Sequence, residues 1–570
     1  MEINSWIAIL QEAREARHDF VKVEKTEQES YFEGNLFLQK LKSRFLDVAQ
    51  QLWKYTSSIQ NDRVSKEIII PTRAALRYSM CCLSYEIEAV RLNLQEHAVL
   101  TCQWHVPLCT ILCLPTGDSK CRLLTGQLLS NLVTCNPKTS LSLSMILPIS
   151  PSEDWISSNI METNLSENNN AIEKSKHDST ATISAIEGPN WVDAFLLSIK
   201  LGKRDTVAAV AATLHNCIVS LGDQSTSFRN NIASHPILIS TILRNFILVT
   251  QTSIKKEDSP EQREWDGATG WFYLLITRLV RFGMLGVMYT GISGCSPDRL
   301  EDMQIVLPEQ NVLLHCIVKY VIEDCQEDEF LSSGEGSEKE DLACKDTVGF
   351  LASLFGRLLQ LQKESQSRNE DGDTTLLLES AIISILDILS TILGNNDSQT
   401  IVMLREYLGP TLVSDSARAL GLLVDDIVQQ NSGLKSREMK MSLQEQNVTT
   451  LLVQVLGNLC YGCRQNQDLM RTTMVPLLTT VEEEATALER NALHVLLSCT
   501  SLASCCFTLR EWSVIAIRNV LDFNPQNQDL VTNLNAESAV QTAALASAGL
   551  QVQLDQTTGK VSLSLLEEEE

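Results

Sequence analysis

The segment "NLCYGCRQNQDLM" at 458–470 recurs without a gap as "NVLDFNPQNQDLV" at 519–531. Asn458 falls on Asn519, Leu459 on Val520, and Asn466-Gln467-Asp468-Leu469 on Asn527-Gln528-Asp529-Leu530. Cys460 and Cys463 fall on Leu521 and Asn524, so the repeated element is not the C-x-x-C pair. It is a helix end of the form L-x-N-apolar, a turn, and an N-Q-D segment that opens the next helix. A chain that repeats such a unit carries a face that no single unit can bury, and stacking the units buries it.

Weaker copies lie upstream. "LLSNLVTCNPKTS" sets Asn131 and Asn136-Pro137 in the register of Asn519 and Asn524-Pro525, and "TLHNCIVSLGD" gives Asn216 the same setting. "AALRYSMCCLS" keeps the apolar frame but has Tyr78 where the asparagine is expected. "TILRNFILV" offers Asn245, so close behind Asn216 that one of the two is accidental. Units of roughly 40 residues that recur imperfectly imply an armadillo or HEAT-like α-solenoid. The asparagines are spaced more widely than that period, so inserted loops or a divergent unit absorb the difference.

Apolar residues recur with helical spacing at 35–59, 375–393 and 449–462, and no sustained alternation of strand type is read anywhere. The expected fold is all-α, an armadillo/HEAT-like superhelix of stacked helical repeats with disordered inserts. Its expected parts are an N-terminal helical region (1–149), a disordered linker (150–188), middle repeats (189–322), an acidic disordered loop (323–346), further repeats (347–448), a C-terminal armadillo domain (449–535) and a disordered, acidic-ended tail (536–570). The linker and the loop are too polar to offset the entropy of ordering them.

Aromatics make up only 5% of the 570 residues, and Leu, Ile, Val and Ala supply the apolar content, which suits stacked helices. The net charge of -25 disfavours nucleic acid and anionic membrane as partners. The N-terminus has no secretory pattern, since Glu2 precedes the apolar stretch and charged residues follow at once. The most apolar window, 271–292, is broken by Arg278 and Arg281 and reads as a buried helix, so no membrane insertion is expected. Seventeen cysteines, many inside apolar helical runs, fit a reduced, cytoplasmic protein.

Neither metal, cofactor nor catalytic site is expected. Cys460-x-x-Cys463 lacks a second ligand pair. The Cys102, His105, Cys109, Cys113 and Cys121 group shares a face with Leu108, Ile111 and Leu112 and reads as core. Asp425 and Asp426 are adjacent on a helix and point about 100° apart, so they cannot share a substrate. No phosphate loop, dinucleotide fingerprint or hydrolase motif is present.

Residues 458–470 together with "REWSVIAIRNVLDFNPQNQDLV" (510–531) resemble the C-terminal armadillo domain of the ataxin-10 family. That domain carries an N-L-C-Y…N-Q-D segment followed by E-W-x-x-x-A-I-R-N-L…N-x-x-N-Q. "REWDGATGWFYLLIT" (263–277) is similar to the family's central segment, apart from its GATG, and the resemblance is diffuse outside 449–531. The resemblance implies a cytoplasmic, non-catalytic interaction scaffold linked to cytokinesis, neurite outgrowth and cell survival. The alternative is an armadillo/HEAT adaptor in transport or in ciliary or cytoskeletal assembly, and a remote one is an enzyme. In armadillo repeats the asparagine of the third helix lines a concave groove and bonds an extended peptide. By that analogy Asn131, Asn216, Asn458 and Asn519, with Arg518 and Trp512, are the expected partner-binding residues. The partners would be other proteins, held as extended segments, with the oligomeric state open.

Overall fold

The computed structural model of the chain describes residues 44–60, 65–83, 88–102, 118–136, 138–140, 204–221, 226–254, 267–296, 298–324, 338–368, 372–394, 399–431, 439–477, 489–500, 506–533, 550–555 and 560–565, with a few single residues besides. The expected linker at 150–188, and most of the acidic loop at 323–346, lie outside these residues. The described residues are overwhelmingly helical, as the periodicity implies, and they divide into two compact units.

The N-terminal unit comprises 1–350 and 368–381. Its first helices are α1 (Phe45–Gln60), α2 (Lys66–Leu83), α3 (Glu88–Glu96), α4 (Ser119–Val133) and α5 (Arg204–Leu221). Then follow α6 (Thr226–Ala233), α7 (Pro236–Ile254), α8 (Gly267–Arg281), α9 (Leu285–Ser293) and α10 (Pro308–Lys319). Neighbours pack in a chain: α1 on α2, α2 on α4, α4 on α5, and α5 on α8.

Asp118 explains why α1, α2 and α4 meet. Its Oδ1 caps α4 by accepting from the Cys121 N–H at 2.9 Å. Both of its oxygens also take the Arg73 guanidinium of α2, at 3.0 and 2.6 Å. Its own N–H donates to the Tyr55 hydroxyl of α1 at 2.7 Å. At the start of α1 Trp104 is fully buried, its ring centroid 4.3 Å from Phe45 and its indole N–H donating to Phe45 O at 2.9 Å. The apolar stretch 271–292 is not one helix. Beyond Arg281 the chain turns through Gly283 (φ 76°), and α9 leaves at 113° to α8.

The C-terminal unit comprises 351–367 and 382–570. The helices α11 (Glu338–Arg368) and α12 (Gly372–Gly394) contribute residues to both units. The remaining helices are α13 (Gln399–Gln430), α14 (Leu443–Cys460), α15 (Arg464–Thr472), α16 (Ala492–Cys499), α17 (Phe507–Leu521) and α18 (Pro525–Thr532). α13 packs on α14, α15 and α16, and α14 packs on α17. α14 starts at a capping box, in which Ser442 Oγ accepts from the Glu445 N–H and the Glu445 carboxylate accepts from the Ser442 N–H. Gly457 lets α14 and α17 approach, since a Cβ there would lie 2.9 Å from Ala516 Cβ.

One helix among the described residues, over Thr374–Gly394, is long and apolar enough to cross a membrane by length and composition. Glu379 and Asp387 interrupt it, and 61% of its apolar window is buried in the protein, so it reads as a core helix.

Two short antiparallel ladders stand beside the helices among the described residues, the second where no sustained alternation is read from the sequence. β1 (Met474–Pro476) pairs with β2 (Glu489–Asn491). There Arg490 Nη2 donates to Asp425 Oδ1 at 2.6 Å and Gly421 O at 3.2 Å, tying β2 to α13. β3 (Leu550–Asp555) pairs with β4 (Lys560–Leu565), so this part of the expected disordered tail forms a hairpin. The sequence reason is an alternation in "LQVQLD" and "KVSLSL", each apolar at every second position.

Candidate functional site

The repeated N-Q-D segment works on helix ends. An α-helix leaves its last four carbonyls without internal partners. Asn466 Nδ2 donates to Leu459 O, seven residues earlier, at 2.8 Å, and to Arg405 O on α13 at 2.7 Å. Gln467 Nε2 donates to Cys460 O at 3.3 Å and to Asn519 O on α17 at 2.9 Å. One unit later Asn527 Nδ2 donates to Val520 O at 3.1 Å and Gln467 O at 2.8 Å, and Gln528 Nε2 donates to Leu521 O at 2.8 Å. Each side chain closes a frayed helix end, and three of the four also lace it to a neighbour. Asn466, Gln467 and Asn527 are buried.

The Asn-Pro register seen in the sequence holds in three dimensions. Asn524 Oδ1 accepts from the Asn527 N–H at 3.1 Å, and its Nδ2 donates to Gln467 Oε1 at 3.4 Å and Asp468 Oδ1 at 3.1 Å. In the N-terminal unit Asn136 Oδ1 accepts from the Thr139 N–H at 3.2 Å, and its Nδ2 donates to Gln95 Oε1 at 3.0 Å. Gln95 Nε2 in turn donates to Asn131 O at 2.6 Å, as Gln467 Nε2 does to Asn519 O. Thr139 Oγ1 and Ser140 Oγ donate to Leu132 O (2.6 Å) and Val133 O (3.2 Å), standing in for Asn527 and Gln528. Gln95 was not singled out from sequence, because its context, "LNLQEHAVL", shares only the Gln-acid pair with N-Q-D.

Three of the four asparagines expected to meet a peptide have amides that already bond within the fold. Asn519 is only 7% exposed, and its Nδ2 donates to Gly457 O at 3.1 Å. Asn458, half-buried, donates to Ser390 O at 3.0 Å. Asn216, also half-buried, donates to the Ser130 and Thr134 hydroxyls at 3.2 and 3.1 Å. In each case the acceptor lies on another helix, which ties the two together. Ser130 and Gly457 immediately precede Asn131 and Asn458, so the bond runs from one asparagine position to the residue before the previous one. Asn131 is half-buried on α4, where its own carbonyl takes the Gln95 amide. These N–H groups bond helix to helix. Asn245 does not follow the pattern. Its Nδ2 turns back to Thr241 O in α7 at 2.8 Å, and its Oδ1 accepts from Arg204 at 2.9 Å. Tyr78 is buried in α2.

Trp512 is half-buried on α17 and Arg518 is exposed on the same helix. In the N-terminal unit a half-exposed strip runs over α4, α5 and α8, through Ser130, Asn131, Thr134, His215, Asn216, Trp271 and Arg278. The His215 ring lies 5.5 Å from the Trp271 ring, and its Nδ1 is 3.3 Å from Asn216 Oδ1. Burial, with the nearby Arg278 charge, outweighs the Asn216 bond, which would raise the imidazole pKa, and holds it below its ordinary value, so the neutral ring is favoured. Such a strip offers donors, acceptors and one indole face, and no nucleophile paired with a base.

Among the described residues no group of three or more His, Cys, Asp and Glu side chains is placed to hold a metal ion. Cys460 and Cys463 are both buried thiols. Burial and the Asp118 carboxylate push the Cys121 thiol up to about 12, far from a reactive thiolate. His105, Cys109 and Cys113 lie outside the described residues. Asp425 pairs with Arg490 while Asp426 accepts from Gln430 at 2.9 Å, so the two carboxylates do separate work.

Residues 478–564 match the family described as the Spinocerebellar ataxia type 10 protein domain. Curated relatives that match include Ataxin-10 of Homo sapiens, 24% identical over 123 residues, which is 22% of this chain and 22% of that protein. Ataxin-10 of Xenopus tropicalis is 29% identical over 112 residues (20% and 19%). The Ataxin-10 homolog of Dictyostelium discoideum is 29% identical over 114 residues (19% and 15%). The chain thus spans about a fifth of the length of the curated relatives it matches. The ataxin-10 resemblance is supported by these matches, and the family model covers 510–531 while starting after 458–470. The matched stretch extends through β3 and into β4.

Proposed function

We propose that this chain, whose C-terminal stretch is that of the ataxin-10 family, is a non-catalytic interaction scaffold built as an armadillo-like stack of helical units. One observation carries the reading. The Gln–Asn bond set that joins helix end to helix end occurs both at Gln95/Asn136 and at Gln467/Asn524. A chain of related units, each needing the next, makes such bonds repeatedly. Helices gathered round a reaction centre have no reason to.

The strip through His215, Asn216 and Trp271 is the partner surface in this proposal. Extended segments of other proteins would lie across α4, α5 and α8, with Trp271 as the anchor and the strip's polar groups meeting the backbone. The asparagine N–H groups act as struts of that surface rather than as its contacts. A cytoplasmic setting and roles in cytokinesis, neurite outgrowth and cell survival come with the family resemblance and belong to the proposal. The matched share of each relative is small, so an adaptor role in another pathway uses the same surface with a different partner. Proximity labelling with the full chain and with Trp271→Ala, alongside thermal unfolding of both, tests the surface. Loss of a discrete set of labelled proteins at an unchanged melting temperature supports it. An unchanged labelled set overturns it.

A further inference from the structure

The last long helix of the C-terminal unit has an open face, and its composition is wrong for water. On α17 Phe507 is 69% exposed, Val514 57% and Ile515 40%, with Glu511 and Arg518 exposed beside them. These residues share one side of the helix, spaced four, three and four apart. The repeat register identifies that side. With Asn519 on Asn458, Phe507 falls on Gln446, Glu511 on Thr450, Val514 on Val453, Ile515 on Gln454 and Arg518 on Gly457. In α14 this is the side that α17 covers: Val453 and Thr450 are buried, and Ala516 rests against Gly457. The open face of α17 thus continues, in register, an interface already present. End units of a stack normally carry a polar outer face. This one does not.

Arg518 says what cannot cover it. Where Gly457 admits a helix at close range, the guanidinium stem keeps one away, so the occupant is not another such helix in the same register. The chain supplies a flatter candidate. In the β3–β4 hairpin the register sets Leu550 opposite Leu565, Val552 opposite Leu563 and Leu554 opposite Val561. Cross-strand partners share a face, so these six positions fall on one face of the ribbon. A lone two-stranded hairpin is marginal in water and needs a surface to pack on. Residues 534–549 join α18 to β3, and extended they reach on the order of 50 Å. A tether of that kind gives the hairpin an effective concentration in the millimolar range, which a second copy does not reach at ordinary concentrations. The matched family stretch, 478–564, contains both α17 and most of the hairpin.

We propose that the β3–β4 hairpin folds back over the open face of α17 as an end cap, with Phe507, Val514 and Ile515 as its seat. The cap closes the apolar end of the C-terminal unit and prevents end-to-end association of chains. It stands independently of the partner strip.

Photocrosslinking in the full chain tests it. Phe507 is replaced by p-benzoylphenylalanine, a substitution at an exposed site, and the chain is irradiated at low micromolar concentration. The expected product is a crosslink within one chain to residues 550–565, mapped by mass spectrometry. Adding Leu554→Asp and Leu563→Asp should cut its yield at least five-fold, with helical circular dichroism unchanged. Crosslinks between two chains would name a second copy as the occupant and overturn the proposal. So would the absence of any crosslink to 550–565, or a yield indifferent to the two aspartates.

Discussion

The turn that follows α4 and the turn that follows α17 do one job with different side chains. Both begin with an asparagine whose carboxamide oxygen caps the next turn of helix, and both engage a buried glutamine from another helix. Behind that, the donors diverge. Thr139 and Ser140 hydroxyls close the helix end in the N-terminal unit, and the Asn527 and Gln528 amides do so in the C-terminal one. The constraint is therefore the pair of orphan carbonyls and not the residue type. The longer amides add what hydroxyls cannot: Asn527 also reaches Gln467 O on a neighbouring helix. The C-terminal unit is stitched more heavily, and it is the part whose sequence resembles the family most clearly.

The heaviest stitch should break hardest. A Cβ at Gly409 on α13 would overlap the Asn466 carboxamide, which is sealed by Leu459 O and Arg405 O. Gly409→Ala must expel that side chain or part α13 from α15. The expected cost is about 3 kcal/mol, combining overpacking with orphaned buried polar groups. Hydrogen exchange over 399–472 should rise sharply while that over 119–140 does not. The comparison loses its footing if both regions loosen alike.

Next come the glutamines. Gln95→Ala and Gln467→Ala each remove one acceptor from a buried asparagine amide and the donor to a carbonyl of another helix, and each should cost roughly 2 kcal/mol in denaturant unfolding. A double-mutant cycle of Gln95 with Asn136 should show coupling of about 1 kcal/mol, matched by Gln467 with Asn524. A silent Gln95→Ala would mean that the N-terminal copy is a coincidence of geometry.

These pairs show what the sequence could reveal. Asn131 with Asn136 and Asn519 with Asn524 were legible because the turn is local and Asn-Pro is a strong local signal. Gln95 was not, because its partners lie in another helix and one residue carries the whole signal. The asparagine role is not legible from sequence for a related reason: an amide inside an apolar helix serves a peptide or a neighbouring helix equally well, and only the structure gives its distance to Gly457 O or Ser390 O. The hairpin at 550–565 is carried by a period-two alternation that the surrounding small and polar residues of the tail obscure.

Acid probes one junction of the N-terminal unit. Asp118 joins three helices of the N-terminal unit. Burial works to raise its pKa, but the Arg73 bonds and charge and the Cys121 N–H outweigh it and hold it below the ordinary carboxylate value. A carboxylate with a depressed folded pKa adds stability above its unfolded value, near 3.9, and loses it as pH falls through the folded value. Asp118→Asn keeps a cap and removes the charge. Its deficit against the parent chain should be full at neutral pH and shrink toward zero below about pH 4. A deficit that stays constant across that range would show the ion pair to be inert.

The smallest effect concerns one backbone position. In the shared register Cys135, Gly462 and Phe523 coincide, each directly after its helix end, and all three have positive φ: 55°, 63° and 47°. The left-handed conformation ends a helix, suits glycine, and crowds the Cβ of other residues. Only the middle turn uses glycine. Phe523 is 90% exposed, and its backbone carbonyl, not its ring, takes Arg464 Nη1 at 2.7 Å. Phe523→Gly therefore forfeits no packing or bonding visible in the fold and relieves the Cβ. Against that stands the larger entropy of a glycine in the unfolded chain. The balance should favour the variant by about 0.5–1 kcal/mol. Cys135→Gly should behave likewise, since Cys135 is exposed too. Gly462→Ala, which gains only the strain, should lose about 1 kcal/mol. If Phe523→Gly instead destabilises the chain while Cys135→Gly stabilises it, the phenyl ring has a seat that the fold alone does not display, and the end of the C-terminal unit is where to look for its occupant.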